Sequence, residues 1–274
     1  MKKNKTKIII TIAIICVIIG SVLLGAGLAM GGDIQTLHIG KDNTSWWPFE
    51  GSLGMNVLEE NEYTDNSRNT WEMPLNKDTQ LSIEMDLGDI RIKEGNESKI
   101  KFYNIKESEV TTKLDGNEKE IKIKRPGIHH NVKNARMEIT LRKDAVYNLE
   151  VDNKLGDINI NDLNFRKLDI EANMGDITLQ DIHSKQTDVN NDCGDIKMFG
   201  VYEGETSVEN KLGDIKMEIT GNKNTFDFDI ENKLGDTLIQ DQNYEFKSKI
   251  KEKHGNANRL EIDCHLGDIK VHFR

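Results

Sequence analysis

The sequence predicts an all-β fold, a right-handed parallel β-solenoid preceded by an N-terminal transmembrane helix, on three observations. A Gly-Asp pair recurs at Gly88, Gly156, Gly175, Gly194, Gly213, Gly235 and Gly267, in steps of 68, 19, 19, 19, 22 and 32 residues. Apolar and polar residues alternate on both sides of each pair, the period of a strand with one buried face. Ahead of the repeat, Lys2, Lys3, Lys5 and Lys7 precede an uncharged run from Ile8 to Met30.

As a helix, the 23 residues of that run span ~35 Å, enough for a hydrocarbon core of ~30 Å. The alternative is a cleaved signal cut after Ala29 or Gly31 of "GAGLAMGG", but such signals have a shorter apolar region of ~7 to 15 residues. Cys16 follows Ile14 and Ile15, where a lipoprotein signal would want a small residue, which argues against lipidation. The lysines stay cytoplasmic by the positive-inside rule, so the chain beyond Met30 is expected to be extracytoplasmic at a cell membrane. The expected division is a basic tail at 1–7, the membrane helix at 8–30, a juxtamembrane stem at 31–77 and the β-repeat domain at 78–274, with regular coils over about 147–240.

Composition agrees with a folded chain, at 36% apolar and 31% charged residues with only three prolines. Setting the four N-terminal lysines aside leaves 33 basic against 47 acidic residues, about 14 net negative charges on the exported part. That balance argues against nucleic acid and anionic lipid as its partners. In the stem, Trp46, Trp47 and Phe49 of "SWWPFE" read either as an aromatic belt at the headgroups or as a plug under the outer domain.

Aligned on the glycine, the columns assign a task to each position. Five residues before it stand Ile83, Val151, Ile170, Val189, Val208, Ile230 and Ile262, β-branched throughout and suited to a strand. Two after it come Ile90, Ile158, Ile177, Ile196, Ile215, Thr237 and Ile269; four after it, Ile92, Ile160, Leu179, Met198, Met217, Ile239 and Val271. One before it stand Leu87, Leu155, Met174, Cys193, Leu212, Leu234 and Leu266, which the same parity assigns to the core. The columns between are polar, so the alternation slips by one residue at Gly-Asp, the mark of a corner. The expected structural sites are therefore the corners Gly88, Asp89, Gly156, Asp157, Gly175, Asp176, Gly194, Asp195, Gly213, Asp214, Gly235, Asp236, Gly267 and Asp268.

A 19-residue unit cannot bury an apolar face alone, whereas stacked coils spaced ~4.8 Å apart can. Parallel crossovers are nearly always right-handed, which sets the expected hand. Three residues before the glycine, Asn153, Asn191, Asn210 and Asn232 share the inward face, so each needs a hydrogen bond. They are expected either to form a stacked ladder with one another and the backbone or to bond each turn separately. Between Arg91 and Tyr147 the strand-like runs "KIKFYNI", "KEIKIK" and "MEITLRK" predict hairpins or irregular coils, and "EFKSKIKEKHGNANRLEI" predicts a hairpin turning near His254 to Asn258.

No catalytic, cofactor-binding or metal site is assigned. Stacked corner aspartates would repel by roughly 0.9 kcal/mol per neighbouring pair even in water. Calcium would offset this in rolls built from nine-residue glycine-rich units, but this chain has bulky residues where those units need glycine. The alternative is carboxylates capping backbone N–H groups, with Lys154, Lys197, Lys211, Lys216 and Lys233 nearby. The acidic column Glu84, Asp152, Glu171, Glu209, Glu231 and Asp263 raises a carbohydrate-active β-helix enzyme acting on wall polysaccharide as an alternative, since paired carboxylates run glycoside hydrolysis. These acids repeat in register, as a solvated face does. Cys193 and Cys264, three coils apart in chain order, are expected to be free, and parity turns His265 and His272 away from Cys264.

The basic start, single span and β-repeat punctuated by "LGDI" or "MGDI" resemble the putative-adhesin family of bacterial β-repeat domains, including LiaG-like envelope proteins. The resemblance covers roughly residues 78 to 274 and implies a β-solenoid at a Gram-positive envelope. It supplies no catalytic residues. The expected function is a membrane-anchored binding or scaffold module, not an enzyme, in adhesion or envelope stress. Its expected partners are membrane lipid through the N-terminal helix and an unknown envelope protein or wall or host ligand.

Overall fold

The computed structural model describes residues 70–75, 80–124, 135–240, 242–244 and 249–274, all within one compact unit, Ser67–Arg274. The basic tail, the apolar run 8–30 and the aromatic stem segment lie outside the described residues. Among the described residues no helix is long and apolar enough to cross a membrane.

The fold is all-β, a curled sheet of 19 strands with two 3₁₀ turns as its only helix among the described residues. In chain order the strands are β1 (Thr70–Pro74), β2 (Gln80–Met85), β3 (Asp89–Gly95), β4 (Lys99–Tyr103), β5 (Val110–Asp115), β6 (Glu118–Ile123) and β7 (Arg136–Arg142). There follow β8 (Tyr147–Asn153), β9 (Ile158–Asn161), β10 (Asn164–Ala172), β11 (Ile177–Asn191), β12 (Ile196–Asn210) and β13 (Ile215–Ile219). The chain finishes with β14 (Phe226–Asn232), β15 (Thr237–Ile239), β16 (Gln242–Asn243), β17 (Lys249–Glu252), β18 (Asn258–Cys264) and β19 (Ile269–Phe273).

Each coil consists of a strand leading into the corner and a strand leading out of it, and neighbouring coils pair in parallel. Ile177 lies beside both Ile158 and Ile196, and Ile170 beside both Val151 and Val189, so each column of the repeat becomes a row of stacked side chains. The β-branched column and both columns after the corner are buried throughout, including Ile158, Ile196 and Ile215 at 0% exposure. The long strands β11 and β12 supply one wall with their first halves and the other wall with their second, which curls the sheet around this core.

The order of coils in space departs from the order in the chain at both ends. The coil made by β18 and β19 lies between that of β12 and β13 and that of β14 and β15. At the other end, β2 and β3 lie between β8 and β9 on one side and β6 and β7 on the other. The first and last coils of the chain are thus covered on both sides. The outermost coils are finished by antiparallel strands: β5 on β6, β4 on β7, β1 on β4, β17 on β14 and β16 on β15. This caps the parallel stack, whose open edges would otherwise invite further pairing.

Three sequence expectations are corrected. Residues 70–74, assigned to the stem, form a strand of the sheet, with Trp71 stacked on Phe102 at 4.1 Å between ring centroids. The segment around His254 is no hairpin, because β17 and β18 sit on opposite sides of β14 and do not pair with each other. The column before the glycine is not core: Leu155, Met174, Leu212, Leu234 and Leu266 are 42% to 59% exposed. The inward strand ends three residues before the glycine, and the next four residues round the corner.

Candidate functional site

The most regular feature of the described surface is the stack of seven Gly-Asp corners, in the spatial order Gly88, Gly156, Gly175, Gly194, Gly213, Gly267, Gly235. Backbone bonds continue straight through it, as in Gly194 N–H to the Leu212 carbonyl at 2.9 Å and Ile196 N–H to the Asp214 carbonyl at 2.9 Å. The coils meet so closely that a Cβ on Gly194 would lie 2.1 Å from the Gly175 carbonyl oxygen, and Gly194 has φ +135°. Both facts require glycine.

The aspartates form a directional ladder. Asp89 Oδ1 accepts the Asp157 N–H at 3.2 Å, Asp157 that of Asp176 at 2.9 Å, and Asp176 that of Asp195 at 2.9 Å. Asp195 then accepts from Asp214 at 3.0 Å, Asp214 from Asp268 at 2.8 Å, and Asp268 from Asp236 at 3.0 Å. Each of these six carboxylates, Asp89 through Asp268, therefore caps a backbone N–H of the neighbouring coil. Burial, with the Asp157 carboxylate beside it, raises the Asp89 carboxyl above its ordinary range. Lys197 lies 3.7 Å from Asp195 and Lys270 3.9 Å from Asp268, whereas Lys154, Lys211, Lys216 and Lys233 pair with Asp86, Asp192, Glu218 and Asp263.

Behind the ladder, the buried asparagines staple coils together through their amide N–H groups. Asn153 donates to the Gly88 and Gly156 carbonyls at 3.2 and 2.9 Å, Asn191 to Gly175 at 3.0 Å, and Asn210 to Gly194 at 2.9 Å. Asn232 donates to the Gly267 carbonyl at 3.2 Å. No Asn-to-Asn bond links the column, so the row is a set of side chain to backbone staples across coils. Cys264 fills the same position and points its thiol at the Gly213 carbonyl, 3.6 Å away. Burial pushes that thiol up to about 11. Cys193 and Cys264 are free thiols two coils apart in space, the inserted coil having shortened the three-coil separation read from the chain.

Outside the corner, the column two before the glycine is knitted between coils: Lys154 Nζ lies 2.6 Å from Asp86, Asn173 Nδ2 3.2 Å from Asp192, Lys211 Nζ 2.6 Å from Asp192, and Lys233 donates to His265 Nε2. A groove of about 340 Å³ runs here, lined by Glu171, Asn173, Asn190, Asp192, Glu209 and Lys211. Within the acidic column, Glu84 is paired with Lys122 at 2.9 Å and Glu231 with Lys249 at 3.0 Å, which holds both carboxyls below the usual range. Among the described residues no group of three or more His, Cys, Asp or Glu side chains is placed to hold a metal ion.

The inter-coil direction of these contacts was missed in the sequence. The signal lay in the column two before the glycine, where Asp86 meets Lys154 and Asp192 meets Lys211 only if their coils are neighbours. The stacked corners and capped ends define a repetitive β-domain. The chain belongs to the family described as Toastrack DUF4097, which matches residues 78–272.

No curated protein matches the sequence. Among solved structures, the chain is similar to a protein described as a putative cell adhesion protein from Clostridium sporogenes, at 16% identity over 75% of this chain and 99% of that one, with a TM-score of 0.47. It is also similar to a putative adhesin from Bacteroides fragilis, at 13% identity over 74% and 96% of the two chains and a TM-score of 0.34. A putative lipid binding protein from Parabacteroides distasonis follows at 9% identity, 75% and 96% coverage and a TM-score of 0.24. Similarity at these levels assigns no ligand to this chain.

Proposed function

We propose that this protein is a membrane-anchored, extracytoplasmic β-solenoid that acts as a binding or scaffold module at the bacterial cell envelope, in adhesion or envelope-stress sensing. The observation that supports this reading is the use to which the surface carboxylates are put. The corner aspartates cap the next coil, and Glu84, Glu231 and Asp263 of the acidic column pair with lysines, so these acids act in holding the stack together. In this reading the coil is right-handed, as parallel crossovers nearly always are. The uncharged run at 8–30 after four lysines supplies the anchor.

Two experiments test it. Protease added outside intact cells removes the β-repeat domain while residues 1–30 stay with the membrane. Crosslinking of the full chain in its own membrane then captures wall material, a host ligand or an envelope protein. Protection from external protease removes the extracytoplasmic assignment, and crosslinking that recovers none of those three classes removes the binding assignment.

A further inference from the structure

The repeat breaks inside the core as well as at its ends. Seven residues before the glycine, the stacked column reads, in spatial order, Leu81, Leu149, Leu168, Thr187, Thr206, Leu260, Phe228. All seven are buried, at 2% exposure or less, yet the two middle coils carry hydroxyls where the other five carry large apolar side chains. A second column breaks at the same place: Ser184 lies between Phe165 and Tyr202 and has the ring of neither. Room and polarity therefore coincide in the middle of the stack, midway between one Gly-Asp corner and the next.

Three hydroxyl oxygens there have no hydrogen-bond partner: Thr187 Oγ1, Thr206 Oγ1 and Tyr202 Oη, each on a residue only 1% exposed. Ser184, fully buried, donates to the Gln186 carbonyl at 2.9 Å, which leaves its oxygen able to accept. Thr187 and Thr206 are direct partners across β11 and β12, at a strand spacing of ~4.8 Å, and Ser184 and Tyr202 are partners just before them. A buried hydroxyl without a partner costs free energy, and native cores leave few of them. We propose that these two coils enclose a hydration site, an ordered water held by the hydroxyls of Thr187, Thr206 and Tyr202 in the room left by Ser184.

Water fits by chemistry and charge. It both donates and accepts, as hydroxyls do, and a buried water makes about three hydrogen bonds. Tyr202 donates to it, and the threonines take its protons or give theirs. An ionic ligand has no counter-charge, because every buried side chain of β11 and β12 is uncharged. Burial also raises the Tyr202 hydroxyl well above its ordinary 10.0, so it stays protonated. An apolar ligand would leave the three hydroxyls unpartnered. The site goes beyond the envelope reading and does not depend on it, because it belongs to the folded stack whether or not the chain is anchored.

The test uses the full chain in mild detergent. Diffraction from its crystals is expected to show a water about 3 Å from the Thr187, Thr206 and Tyr202 oxygens. Stability supplies an independent sign. Thr187→Val, Thr206→Val and Tyr202→Phe each keep the side-chain shape and remove one hydroxyl. With the water held, each variant takes a partner from it and lowers the urea midpoint by about 0.5 M. The triple variant leaves nothing unpartnered and lowers the midpoint by less than the sum of the three. Hydroxyls without water give the opposite sign, since removing an unpartnered buried group raises the midpoint. Four results overturn the proposal: no density at the site where other buried waters are seen, hydroxyls bonded directly to one another, single variants that raise the midpoint, or three losses that simply add.

Discussion

Asp157 Oδ1 accepts the backbone N–H of Asp176 at 2.9 Å, in the next coil of the stack. The bond joins a side chain to a backbone 19 residues away, and it recurs from Asp89 to Asp236 without a break, including the two steps that cross the inserted coil. A solenoid held by backbone pairing alone is free to slip by a coil. Here each corner is keyed to its neighbour by a carboxylate, and four of the six junctions carry an asparagine amide as well.

Removing one rung has a bounded cost. Asp176→Ala deletes the acceptor for the partly exposed Asp195 N–H, and is expected to lower unfolding free energy by about 0.5–1.5 kcal/mol. Asp176→Asn keeps an acceptor oxygen and costs less. Denaturant unfolding of the two variants measures the difference, and equal losses would show that charge rather than the hydrogen bond is what the rung supplies. Millimolar calcium leaves the melting temperature of the parent chain unchanged, since the ladder oxygens are committed to backbone N–H groups.

The asparagine staples are buried and so cost more to remove. Asn153 is fully buried and donates to two glycine carbonyls in adjacent coils. Asn153→Ala leaves both without that donor, an expected loss of about 2–4 kcal/mol. Asn153→Asp is worse, because it points a carboxylate at two carbonyl oxygens. A fully stable Asn153→Asp chain by thermal melting would contradict the assignment.

The glycines divide into two kinds, and one comparison separates them. Gly194→Ala forces a Cβ to within 2.1 Å of the Gly175 carbonyl oxygen at φ +135°, and the stack must open there. The expected loss is at least about 3 kcal/mol. Gly116, in the turn between β5 and β6, has φ +61° and open space around it, so Gly116→Ala costs only about 1 kcal/mol. Similar melting temperatures for the two variants would remove close approach as the reason for the repeat's glycine.

Much of this fold was legible in particular residues. Ile158 and Ile160 and their equivalents announced a strand with one buried face, and Gly156 with Asp157 announced the corner between two walls. Leu155 was misplaced because parity assigns it to the same face as Asn153 and Val151, and parity holds only while the chain stays extended. The bend begins at Lys154, a residue that no periodicity marks. The insertion of β18 and β19 was invisible for a different reason: steps of 22 and 32 residues tell how much chain separates two coils, not which coil they settle beside. In the site, the need of Asn210 for a partner could be read, but its partner, the Gly194 carbonyl of the neighbouring coil, is a property of stacking.

That correction makes a direct test. Leu155→Ser changes an exposed residue outside the corner and is expected to move stability by no more than about 0.5 kcal/mol. Ile158→Ala, three residues on and fully buried, is expected to cost about 2–5 kcal/mol through the lost burial and the cavity. Urea unfolding compares them. A loss for Leu155→Ser as large as that for Ile158→Ala would return the leucine column to the core.

The end of the stack has its own lock, and it responds to acid. The loop from β17 to β18 is gathered by the Asp227 carboxylate, which accepts the N–H groups of His254, Gly255 and Asn256 at 2.9, 3.2 and 3.2 Å. The His254 N–H first, with the other two assisting, holds that carboxyl below its ordinary 3.8. A folded-state value below the unfolded one means that the unfolded chain takes up the proton first as acid is added. The contribution of Asp227 is therefore fully present above about pH 4 to 5 and is lost as pH falls through the lowered folded value. Asp227→Asn cannot titrate, so the melting-temperature gap between parent and variant is expected to be constant from pH 7 to 5 and to shrink below pH 4. The same acid range should open residues 249–257 to hydrogen exchange before the central coils. A gap that stays constant down to pH 2.5 would show that the carboxylate charge does not hold this crossover.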